Sequence, residues 1–370
     1  MKISQLSVYF FVAFAASLFG CDADYSQSKM PDRPRIDENF YKLSIEAINQ
    51  SIENSPFNAE AYYKKAKLLN HLKNYKSARI NIEKAISLDK SKADYYFFLA
   101  QNQFQNNEIR EGLEAAHKAE KMGVDSPDLY HLLADLYLTE SQLTKAMEYN
   151  SKSLVTDKSG LNYYQRGAIL LAGKDTASAV EVFLRSIRHD SLYSATYDQL
   201  TKLYLGKKSL DSAQLYLNKN RKLNPDNLRI WFDQGILYRL KKQDDSAKMI
   251  YLSIIQQDSL AARSMVKMSE LHFDHYRNDS ASFYAEKALG IRENLLGAML
   301  MQGRILGRRQ YFRQAREKFE EILAVDSTYE PAKVALVQLN RRQSYLKRLE
   351  RERQENQQIE ILTPKRIKPE

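Results

Sequence analysis

A single period governs most of this chain. From residue 59 to residue 329 a large, mostly aromatic residue recurs, with a small residue four positions later and a second small one twelve positions after that. Units open at Ala59, Ala93, Pro127, Gly160, Ser194, Leu228, Ala262 and Leu296. The spacing is 34 residues at every step except that from Pro127 to Gly160, which is 33. The large residues, at the fourth position, are Tyr62, Tyr96, Tyr130, Tyr163, Tyr197, Trp231, Met265 and Met299. The eighth positions hold Ala66, Ala100, Ala134, Gly167, Thr201, Gly235, Ser269 and Gly303; the twentieth hold Ala78, Gly112, Ala146, Ala179, Ala213, Ala247, Ala281 and Ala315. Repeats of this length are supersecondary units that cannot bury their apolar faces alone and gain stability by stacking. Glycine and proline number 12 and 8 in 370 residues, too few for the frequent turns of a β-sandwich or barrel. A hydrophobic content of 44% is enough for a core and excludes disorder throughout.

Within each unit apolar residues recur at i, i+3, i+4 and i+7, the pattern of two amphipathic helices. Small side chains at the eighth and twentieth positions let these helices, A and B, approach closely. The fourth-position residue is expected to fill the gap between neighbouring units. Phase and period together resemble the tetratricopeptide repeat (TPR). The resemblance implies an all-α solenoid of helical hairpins wound as a right-handed superhelix, with units 59–92, 93–126, 127–159, 160–193, 194–227, 228–261, 262–295 and 296–329. Lys65, Asn220 and His272 depart from the residues usual at their positions in the family. Residues 38–58 read as an N-terminal capping helix or half-repeat and 330–350 as a C-terminal capping helix. Residues 351–370 read as a charged, frayed tail interrupted by Pro364 and Pro369.

The N-terminus carries different information. Lys2 and the apolar stretch Val8 to Leu18 have the layout of a signal peptide. That stretch is short for a helix crossing about 30 Å of hydrocarbon. Leu18-Phe19-Gly20-Cys21 follows, and Cys21 is the one cysteine of the chain. The run resembles the lipobox of bacterial lipoproteins, with a leucine three places before the cysteine and a small residue directly before it; Phe19 stands where a small residue is usual. The resemblance implies a lipoprotein signal peptide over 1–20, a lipid on Cys21 and a flexible tether over 21–37. The mature chain is then expected to be extracytoplasmic, held by its acyl chains at the outer membrane or the periplasmic face of the inner membrane. A single cysteine also excludes an intramolecular disulfide and a zinc site built on several thiolates.

In the TPR fold, helix A lines a concave groove through its second, fifth, ninth, twelfth and thirteenth positions. By resemblance this puts Tyr63, Phe97, Tyr164, Phe232, Phe104 and Phe273 on the groove wall, with Lys67, Gln101 and Arg239 among them; His131 and Asp135 hold a fifth and a ninth position. Separated aromatics with mixed polar groups suit an extended or helical protein segment, because rings serve as desolvated anchors and polar groups set register. The expected partners are proteins of the cell envelope bound as peptide or helix segments, and the expected role is that of a scaffold or assembly factor. The alternative is a lipoprotein that stacks a glycan or small ligand on the same rings. The family's clamp for C-terminal carboxylates, a lysine at the fifth position and an asparagine at the ninth, is missing: the first unit has Tyr63 and Lys67 there.

The formal charge is +10, but cations are scattered among acids, which does not point to nucleic acid. Arg304, Arg308, Arg309 and Arg313 crowd the last unit and read either as a basic patch for lipid headgroups or an acidic partner, or as a solvated face that keeps that unit soluble. His272 and His275 lie one turn apart without a third metal ligand. Gly173-Lys174-Asp175-Thr176 lacks the upstream glycine of a phosphate loop, and no H-E-x-x-H occurs. Gly303 and Gly307 read as a close helix contact. No catalytic residue, metal or cofactor is expected.

Overall fold

The computed structural model describes residues 38–257 and 260–362, and these hold eighteen helices and no strand. Cys21, the signal segment and the tether lie outside the described residues, as does the end of the tail from 363. The chain divides into two units, Met1–Asn227 and Leu228–Glu370. In the first, α1 (Glu38–Asn54) precedes the pairs α2 (Ala59–His71) and α3 (Tyr75–Leu88), α4 (Ala93–Gln105) and α5 (Ile109–Lys121), α6 (Pro127–Thr139) and α7 (Leu143–Thr156), α8 (Gly160–Ala172) and α9 (Thr176–His189), and α10 (Ser194–Gly206) and α11 (Leu210–Leu223). The second holds α12 (Leu228–Leu240) and α13 (Asp244–Ile255), α14 (Ala261–Asp274) and α15 (Asn278–Ile291), α16 (Leu296–Arg308) and α17 (Phe312–Val325), and finally α18 (Glu330–Leu362). Within each unit consecutive helices pack on one another in pairs, as in TPR solenoids.

The turn inside each pair is the same device used eight times. The residue after the first helix's cap has φ between 56° and 68°, at Lys73, Asn107, Ser141, Lys174, Lys208, Lys242, Tyr276 and Gln310. The next amide donates back to a carbonyl five residues earlier, as Asn74 does to Leu69 at 2.9 Å and Gln243 to Tyr238 at 2.8 Å. This closure satisfies a carbonyl that the helix end would otherwise leave open. Glycine is the usual residue at such a left-handed position, since other residues pay roughly 1–2 kcal/mol there. Its absence from all eight left-handed positions is one reason the chain holds so little glycine.

Packing inside the pairs depends on small residues. The twentieth-position alanines, from Ala78 to Ala315, are fully buried. Three eighth-position glycines face an aromatic ring on helix B. A Cβ added at Gly167 would lie 2.6 Å from Phe183, and one at Gly235 would lie 2.5 Å from Tyr251; Gly303 meets Phe319 in the same way. Where the eighth residue is Ala66, the opposite residue is Ile82, also fully buried. Ring and glycine, or aliphatic and alanine, thus fill one volume at native density. A Cβ at Gly307 would lie 2.7 Å from Leu339, so this pair of glycines marks close helix contacts. Two fourth-position tyrosines also meet helix B of their own pair: Tyr163 stacks on His189 at 4.6 Å and Tyr130 faces Tyr149 at 6.1 Å.

The sequence reading ends the capping helix at residue 350, whereas α18 continues to Leu362. Residues 350–358 are exposed. They are rich in Arg, Glu and Gln, which lose little rotamer freedom in a helix. Arg348 also reaches Glu352 at 3.5 Å, an i,i+4 pair that supports an exposed helix.

Candidate interaction faces

In the first unit, Tyr63 sits half-buried on α2. Its ring lies 4.8 Å from that of Tyr95 and meets Phe98 edge-on at 5.6 Å. Lys67, one turn on, places its ammonium 5.2 Å from the ring centre. The Tyr95 hydroxyl donates to Glu60 at 3.3 Å. Burial, then the fields of Asp94 and Glu60, push the Tyr63 phenol up to about 12. The result is a partly open aromatic cluster with carboxylates at its edge. Phe97 and Phe104 on α4 are half-buried against the core of α4 to α8, with Gln101 between them, also half-buried. Asn70 donates to Gln105 at 2.7 Å and accepts from Asn102 at 2.8 Å, so amides bridge α2 and α4.

Tyr164 corrects the expectation made for it. It is 3% exposed, with its ring 5.7 Å from Phe183 and 5.2 Å from Tyr193. A fifth-position ring becomes core when helix B and the following link both supply aromatics, as they do here. Tyr164 therefore presents no surface to a partner.

Beside it the structure holds a polar network that the aromatic pattern does not signal. Gln165 donates to the Asp135 carboxylate at 2.6 Å and to the His131 carbonyl at 2.8 Å. Asn150 donates to Gln165 and to the Asn162 carbonyl, both at 2.9 Å. His131 Nδ1 lies 2.9 Å from Asn162 Oδ1 and its Nε2 lies 3.3 Å from Asp135. Burial pushes the Asp135 carboxyl above the usual carboxylate range, against the opposing pull of His131 and Gln165. The sequence signal is the 33-residue step. Asp157 to Ser159 join α7 to α8, one residue fewer than Asp89 to Lys92, which join α3 to α4. Asn162 secures the short link by donating to the Asp157 carboxylate at 2.8 Å and to its carbonyl at 3.0 Å.

In the second unit Phe232 is half-buried, 5.9 Å from Tyr251. Arg239 is tied down: it donates to Asp244 at 2.7 Å and to Asp274. His275 shares Asp244, at 2.7 Å. His272 is buried and stacked on Tyr284 at 5.4 Å, and burial holds its imidazole below the ordinary value. The two histidines do not converge, and among the described residues no group of three side chains could hold a metal ion.

The four arginines read as a patch have separate fates. Arg308 lies over the Phe273 ring at 3.2 Å and donates to the Phe273 carbonyl. One residue read as groove and one read as patch thus cover each other. Arg309 pairs with Asp279, and Arg313 with Glu317 at 3.0 Å. Arg304 is half-buried and has no ion-pair partner among the described residues.

The tetratricopeptide repeat model matches residues 59–92. Those residues are a tetratricopeptide repeat. Among solved structures, the APC/C hetero-tetramer Cut9–Hcn1 is similar with a TM-score of 0.54 and 14% identity, over 82% of this chain and 59% of that one. The human IFIT1 dimer with m7Gppp-AAAA is similar with a TM-score of 0.52 and 17% identity, over 77% and 68%. YrrB, a TPR protein with an unusual peptide-binding site, aligns over 54% of this chain and 99% of its own at 21% identity and a TM-score of 0.40. None of the curated proteins matches. At such identities the first two likenesses show the TPR fold and nothing finer. Departures from the TPR pattern are absorbed locally: Asn220 is buried and accepts from Ser194 at 2.7 Å.

Proposed function

We propose that this chain is a lipid-anchored TPR scaffold of the bacterial envelope, binding protein segments on its helix A faces and catalysing nothing itself. The observation that carries the binding role is the Tyr63 cluster. Tyr63 stands half-open over the buried rings of Tyr95 and Phe98, with Glu60, Asp94 and Lys67 at its edge. Such a surface desolvates an apolar anchor and orients the polar groups beside it. Phe97 and Phe104 are half-buried on the neighbouring helix α4. The anchoring role is supported by the sequence around Cys21. No helix among the described residues is long and apolar enough to cross a membrane.

One set of variants tests this. Tyr63→Ala and Phe97→Ala should each lose co-purified partners from detergent-solubilised membranes while melting changes little, since a truncated interface anchor typically costs about 2–4 kcal/mol of binding. Tyr164→Ala should do the reverse, because an aromatic removed from a core costs about 3–5 kcal/mol of folding. Cys21→Ser, carried through the same preparation, should leave the membrane fraction. Retained partners in both Tyr63→Ala and Phe97→Ala would defeat the binding role.

A further inference from the structure

Three arginines in the second unit converge without carboxylates to neutralise them. Arg304 and Arg308 lie one turn apart on α16, on the same face. Arg342, on α18, points its guanidinium at the Arg308 carbonyl at 3.4 Å. None of the three forms an ion pair with an acid among the described residues. Asp274, whose field reaches Arg308, is already bonded to Arg239. The Arg308 fork is held in place by the Phe273 ring at 3.2 Å and by Tyr276 at 4.8 Å. Burial, joined by the positive fields of Arg342 and Arg304, holds its guanidinium below the ordinary value, while Tyr276 and Asp274 pull the other way.

We propose that Arg304, Arg308 and Arg342 form a binding site for the carboxylates of an acidic protein segment. This rests on the reading of the chain as a protein-binding scaffold and names the chemistry of one partner. Like charges brought together without counter-ions work against folding, so a ligand that supplies the missing anions gains from an arrangement already in place. Guanidinium forks match carboxylates in bidentate geometry, and Arg308 is pre-oriented by its rings. A flat lipid surface fits less well. Three neighbouring cations are already paired: Arg309 with Asp279, Arg313 with Glu317, and Lys318 with Glu321 at 2.7 Å. The unpaired Arg304 and Arg308 are half-buried.

The test uses the full-length chain in detergent and a fluorescein-labelled hexaglutamate peptide, followed by anisotropy at low and high salt. Binding should weaken with salt. It should fall about tenfold or more in Arg304→Gln and again in Arg342→Gln, as expected for loss of one charge-assisted contact. Arg313→Gln, whose cation is already paired, should bind as the parent does. Melting of Arg304→Gln should stay level or rise, which separates lost contact from lost fold. The proposal is overturned if hexaglutamate does not bind, if Arg313→Gln loses as much as Arg304→Gln, or if phosphatidylglycerol vesicles bind through Arg304 where the peptide does not. Failure here with partners still captured through Tyr63 and Phe97 would remove this site and leave the scaffold reading standing.

Discussion

The first unit and the second build the same helix pairs with different chemistry inside. In the first, buried polar groups bond one another: Asn102, Asp135, Asn150, Asn162 and Gln165 are all buried, most of them in one network. In the second, Arg239, Arg308 and Arg309 handle charge nearer the surface, and the buried polar groups, among them Asp233, Gln234, Ser269 and His272, sit in an interior with many small apolar residues such as Ala285, Ala288 and Ala298. Yet the turns, the twentieth-position alanines and the glycine-to-ring contacts recur in both. The hairpin is therefore fixed by small residues and turn closure. Interior polarity is free to vary and serves local needs, such as the short link after α7.

That contrast can be broken in three ways. The largest effect is expected where the units agree. Ala179→Phe in the first and Ala247→Phe in the second should each overpack a fully buried contact, at about 3 kcal/mol. Thermal melts that drop for one and not the other would show that the two units do not share this packing. The next effect belongs to the first unit alone. Asn150→Ala removes the donor to Gln165 and to the Asn162 carbonyl, and buried acceptors left unpaired cost about 1–3 kcal/mol. Ala285→Gly, at the matching position of the second unit, breaks no hydrogen bond of a side chain, and urea titrations of the two variants should differ accordingly.

The smallest effect depends on pH. The raised Asp135 carboxyl means that the folded state holds its proton more tightly than the unfolded chain. Its stability contribution is complete below the ordinary carboxylate value of about 3.9 and is lost as pH rises through the folded value. Asp135→Asn keeps a neutral hydrogen-bonding group there. Its melting temperature should exceed the parent's at neutral pH, with the gap closing toward pH ~4. A gap that widens on acidification would mean that Asp135 is stabilised as the anion.

The helix pairs were readable because their cause is local and repeats. Ala247 and Gly235 recur in phase with Ala179 and Gly167, and only small side chains fit those contacts. The candidate faces were harder to read. Tyr63 and Tyr164 occupy the same position of their units, and what separates them is Tyr193 and Phe183, which crowd only the second. The stack of Arg308 on Phe273 joins residues 35 apart, and neither residue alone announces it. Asn150 and Gln165 carry no periodic mark. Their only trace was one missing residue in the spacing before Gly160. The length of α18 was hidden by composition, because the same Arg, Glu and Gln residues suit a solvated helix and a frayed tail.

That length has a mechanical consequence. At about 1.5 Å per residue, α18 is a strut of roughly 50 Å, whereas the paired helices are near 20 Å. Through residue 358 its last buried side chain is Leu339. Beyond it more than half of the strut carries no deep packing, so a push or pull at Leu362 acts on the α16–α17 pair with the leverage of a long arm. Whatever engages that end would feel the compliance of one hairpin, and the rest of the unit would be shielded from the load.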